Sequence, residues 1–61
     1  MTTDQRDMLL EITQDTAFAP GFRHQAQALL EGKDLTGGIV DIELQIAEIE
    51  RQYHAVNGSW N

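Results

Sequence analysis

The side chains best placed to do chemistry in this sequence are acids. Asp4, Asp7, Glu11 and Asp15 follow one another at spacings of three, four and four. On a helix that spacing lines them along one face, about 5–6 Å apart. Such a row could imitate a nucleic-acid backbone and occlude the basic groove of a DNA- or RNA-binding protein. The plainer reading is a solvated face opposite an apolar strip, which is the ordinary use of charge on a surface helix. A second acidic set, Asp41, Glu43, Glu48 and Glu50, doubles the negative surface but also flanks an apolar stripe.

Other chemistry finds little to stand on. His24 and His54 are the two imidazoles, on different predicted helices, and neither has a second histidine four residues on. A zinc site would need accurate tertiary placement of carboxylates beside them. The hydroxyls Thr3, Thr13, Thr16, Thr36 and Ser59 lie in no motif that supplies a base and an oxyanion site. Gly37-Gly38 lacks the lysine and the spacing of a phosphate loop. No catalytic, cofactor-binding or metal-ligating residue is assigned, and the expectation is a non-enzyme that uses no cofactor.

Size and charge narrow the classes further. Sixty-one residues allow one domain, 1–61, with ten carboxylates against four Lys/Arg and a net charge of -6. Arg6, Arg23, Lys33 and Arg51 are scattered singly, which argues against direct binding of nucleic acid or of an anionic membrane surface. Cysteine is absent, so disulfides are excluded. There is no apolar run near the ~20 residues of a membrane span, and no signal-peptide pattern, so a cytoplasmic protein is expected. For a chain this short, apolar burial (about 90 kcal/mol) and the cost of ordering the chain (about 90 kcal/mol) cancel, and association is the common remedy.

Three helical segments account for most of the chain, an all-α class. The first, about 3–16, opens with Thr2 and Gln5 as a capping box and offers Met8, Leu9, Ile12 and Thr16 to a core. The second, about 20–31, starts at Pro20, which suits a first helical position, and carries Phe22, Ala26, Leu29 and Leu30 before Gly32. Phe18 and Phe22 are expected to fill core. The third, about 37–57, would be capped by Asp34 or Thr36 and closed by Asn57-Gly58, leaving a tail at 58–61. Asp41 to Ile46 alternates like a strand, but the alternation fails at Ala47 and the helical period continues.

That third segment shows two apolar stripes. Ile39, Ile42, Ile46, Ile49, Tyr53 and Val56 form an a/d heptad, and Val40, Leu44 and Ala47 a shorter stripe roughly 150° away. One stripe should close the chain's own core and the other should serve a neighbour. The heptad is read as the oligomer interface, in a helical hairpin or open three-helix unit. Trp60, in a polar tail, is a candidate anchor for a partner.

The function expected is therefore that of a small acidic interaction module, a homo-oligomer that regulates, adapts or inhibits an unidentified protein. By analogy alone, such chains belong to bacteria or their viruses. One alternative is a nucleic-acid mimic acting through Asp4, Asp7, Glu11 and Asp15. Another is a ligand- or signal-sequestering oligomer with a pocket near Arg23, Lys33 or Arg51.

Overall fold

The computed structural model describes the backbone of residues 1–58 and the side chains of residues 1–55. Three helices and no strand occur among the described residues: α1 (Thr3–Gln14), α2 (Pro20–Leu30) and α3 (Ile42–Gly58). The heptad position Val56, the closing Asn57 and the anchor Trp60 have side chains outside the described set.

Helix α1 begins where Thr2 caps it. Thr2 Oγ1 accepts from the Gln5 amide at 3.1 Å, and Gln5 Oε1 accepts from the Thr2 amide at 2.9 Å, which satisfies two donors at the free end. The helix stops at Gln14, two residues short of expectation. Asp15 leaves helical angles (φ -96°, ψ 110°), and its carboxylate accepts from the Ala17 amide at 2.9 Å. A short acidic side chain that captures a nearby amide competes with the helix ladder. Thr16 is consequently exposed in the turn and does not join the core strip.

Pro20 opens α2, where its missing N–H has no partner to lose. Arg23 Nε donates to the Phe18 carbonyl at 3.2 Å and ties the α1–α2 turn to the second helix. Glu31 caps the far end, so α2 finishes at Leu30. Gly32 follows at φ +75°, with its amide bonded to Leu29 O (3.1 Å) and the Lys33 amide to Ala28 O (2.8 Å). Those two bonds are the Schellman pair, and only glycine takes that backbone conformation without strain.

The third helix departs most from expectation. It begins at Ile42, with Asp41 O accepting the first amide bond, from Gln45 at 3.0 Å. Gly37 (φ +66°) and Gly38 (φ +92°) are left-handed and end any helical path from residue 37. Ile39 and Val40 therefore lie in the connecting turn and not on the helix.

The core joins all three helices: Met8, Leu9 and Ile12 from α1, Ala26 and Leu29 from α2, Ile46 and Ile49 from α3. Phe18, Phe22, Leu30, Ile42 and Tyr53 pack around it. Helices α1 and α2 form the most extensive pair, and α3 lies against both.

Candidate functional site

Ile46 (3% exposed) and Ile49 (1%) are buried in the chain's own core, while Ile42 and Tyr53 pack partly buried at its edge. Two of the six residues read as the oligomer interface, Ile46 and Ile49, are thus enclosed within a single copy by α1 and α2. Ile39, the first of those six, is 87% exposed because the turn carries it off the helix. Besides Met1 and Leu10 (59 and 40% exposed), the large apolar side chains left open are Leu35, Ile39, Val40 and Leu44 (52, 87, 38 and 63% exposed), with Ala47 also exposed further along α3. Leu44 and Ala47 belong to the shorter stripe. Helix α3 therefore buries Ile46 and Ile49 and leaves Leu44 and Ala47 exposed.

A polar hub shapes this apolar segment. Asp34 Oδ1 accepts from the Thr36 hydroxyl (2.6 Å), the Thr36 amide (2.8 Å) and Gln45 Nε2 (2.8 Å), while Oδ2 accepts from the Gly38 amide (2.9 Å). Gln45 is buried (4% exposed), and its second amide proton goes to the Val40 carbonyl at 2.9 Å. Thr36 Oγ1 accepts from the Val40 amide at 3.1 Å. Donation by the Thr36 hydroxyl and by Gln45, then by the Thr36 and Gly38 amides, holds the Asp34 carboxyl down at about 2. Asp34 and Thr36 are therefore caps of a turn, not of α3. The spacing D-x-T-x-G is a legible turn signal, but the contribution of Gln45 depends on how α3 docks.

The acidic row divides. Asp4, Asp7 and Glu11 stay exposed on α1, whereas Asp15 sits past its end with its carboxylate turned to the Ala17 amide. Glu11 Oε2 accepts from the Tyr53 hydroxyl at 2.5 Å, linking α1 to α3 across a shallow groove. Asp4, Asp7, Met8, Glu11, Glu50, Tyr53 and His54 line that groove, and the His54 ring meets Tyr53 edge-on at 5.5 Å. The grouping of Glu50 with the α1 acids has no signal in the sequence, since it depends on the helix pairing.

The remaining candidates stay dispersed. Among the described residues no group of three or more His, Asp or Glu is placed to hold a metal ion. Arg23 is spent on the Phe18 carbonyl, Lys33 faces Glu31 at 3.9 Å, and Arg51 pairs with Glu48. The Arg51 and Gln52 donors hold Glu48 at about 2, and Glu48 in turn raises Arg51. Among the described residues no helix is long and apolar enough to cross a membrane. No known protein family, curated protein or solved structure matches this chain.

Proposed function

We propose that this chain is a small acidic protein-interaction module, a regulator, adaptor or inhibitor that acts by docking and performs no chemistry of its own. One observation carries the reading: four large apolar side chains stand open to solvent between positions 35 and 44. At roughly 200 Å² per large aliphatic residue, their exposed fractions leave on the order of 450 Å² of apolar surface, large for so small a chain. Burying it is worth on the order of 10 kcal/mol before the entropy of association is subtracted. The Asp34 hub supports the same reading, because a turn already held in shape loses little freedom when it docks.

The test compares wild type with an Ile39→Asp/Leu44→Glu variant of equal helicity, each immobilised and scored for what it retains, a second copy included. Retention that disappears in the variant supports the docking surface. Equal retention by both proteins overturns it.

A second reading, nucleic-acid mimicry, draws on the exposed Asp4, Asp7 and Glu11 and on Glu50 joining them across the α1–α3 groove. It requires the opposite pattern: Asp7→Lys/Glu11→Lys loses the partner and Ile39→Asp/Leu44→Glu keeps it.

A further inference from the structure

We infer that the open apolar face is self-complementary and receives a second copy of this chain, in an antiparallel pair that sets Leu44 of each copy over Ala47 of the other. The inference rests on the docking surface proposed above and names its occupant.

Area is the first argument. On the order of 450 Å² of apolar surface per copy becomes about 900 Å² for the pair. With Ala47 and Arg51 also exposed beside it, that total stands close to the ~1,000 Å² that separates specific interfaces from incidental contacts.

Shape is the second. At about 100° per residue, Leu44 stands roughly opposite the Ile46–Ile49 seam, with Ala47 and Arg51 within about 60° of it. An antiparallel two-fold axis midway between positions 44 and 47 lays the long Leu44 over the short Ala47, twice, so a large side chain meets a small one. A parallel pair sets Leu44 on Leu44 and Asp41 beside Asp41.

Charge is the third. The same axis brings Arg51 of each copy level with the start of the other copy's α3, beside Asp41. Asp41 takes part in no ion pair among the described residues, and Arg51 is exposed, with guanidinium donors beyond those given to Glu48. Glu43 and Glu50 stand about 70° and 90° from the line midway between Leu44 and Ala47, at a rim where salt screens like charges, and Glu48, about 70° to the other side, is paired with Arg51.

Sedimentation of the full chain tests the pairing. Wild type is expected at twice the 6.9 kDa chain mass. Ala47→Glu, exposed in the single chain and kind to a helix, should keep its circular dichroism and dimerise at least ten-fold more weakly. Arg51→Asp should weaken the dimer several-fold, and the exchanged Asp41→Arg/Arg51→Asp protein should recover most of the loss. A wild type that stays at 6.9 kDa up to millimolar concentration overturns the inference, as does an Ala47→Glu dimer of wild-type strength. Failure of the charge exchange to restore pairing overturns the antiparallel arrangement. A monomer that still captures another protein through Ile39 and Leu44 removes the second copy and leaves the docking reading intact; loss of both removes both.

Discussion

Gln45 reaches back eleven residues to Asp34, its Nε2 donating to Oδ1 at 2.8 Å. The same nitrogen also donates to the Val40 carbonyl at 2.9 Å. One buried amide thus joins the start of the α2–α3 connection to its end and to the first turns of α3. It satisfies a carbonyl that the helix does not, and it presents Leu35, Ile39 and Val40 on a turn of set shape. No buried side-chain nitrogen or oxygen among the described residues lacks a partner.

Replacing Gln45 by Ala should therefore cost more than a surface substitution. Loss of two hydrogen bonds in a buried setting is worth about 1–3 kcal/mol, read as a lower denaturation midpoint at unchanged slope. Gln45→Glu should be worse than Ala at neutral pH, because a carboxylate would face Asp34 with no proton to donate.

Acid should loosen the same turn. The Asp34 carboxyl is lowered from 3.8 to about 2 by the Thr36 and Gln45 donors. The unfolded chain then binds the proton more readily than the folded one. The Asp34 contribution is present in full above pH 3.8 and fades as pH falls towards 2. Melting temperature followed from pH 5 to pH 2 should drop more steeply for wild type than for Asp34→Asn. Parallel curves would show that the hub carries no such linkage.

The two faces of α3 should respond oppositely to truncation. Ile49→Ala opens a cavity in the core and should cost about 2–4 kcal/mol. Leu44→Ala, on a side chain 63% exposed, should change single-chain stability by less than about 0.5 kcal/mol while weakening association. Chemical denaturation at micromolar and at high concentration separates the two effects.

Glycines at two places should answer in opposite directions. Gly38→Ala puts a Cβ on a backbone at φ +92° and should cost about 1–2 kcal/mol although nothing crowds the site. Gly21 lies inside the first turn of α2 with open space around it. Gly21→Ala should add about 0.5–1 kcal/mol, through helix propensity and a less flexible unfolded chain. Thermal melts of the two single variants decide both.

Local signals carried the sequence reading where local physics decides. Thr2 with Gln5, Pro20 and Gly32 mark helix ends because each acts on amides within a few residues of itself. The periodic Met8, Leu9, Ile12 and Ala26, Leu29 predict buried faces, since a 3.6-residue repeat needs no partner to be legible. The sequence predicts α3 as a helix with apolar residues on two sides, starting near residue 37, whereas the helix begins at Ile42. Its apolar period runs back through Ile39, and period alone does not weigh the left-handed backbone of Gly37 and Gly38. Which stripe faces inward was a question for the tertiary structure. The inward face is the one that lets Ile46 and Ile49 join Leu9, Ile12 and Leu29 in the core while Gln45 reaches Asp34. Side-chain fit and long-range hydrogen bonds are settled only once distant segments touch, and here they drew Ile46 and Ile49 into the core and left Leu44 and Ile39 facing water.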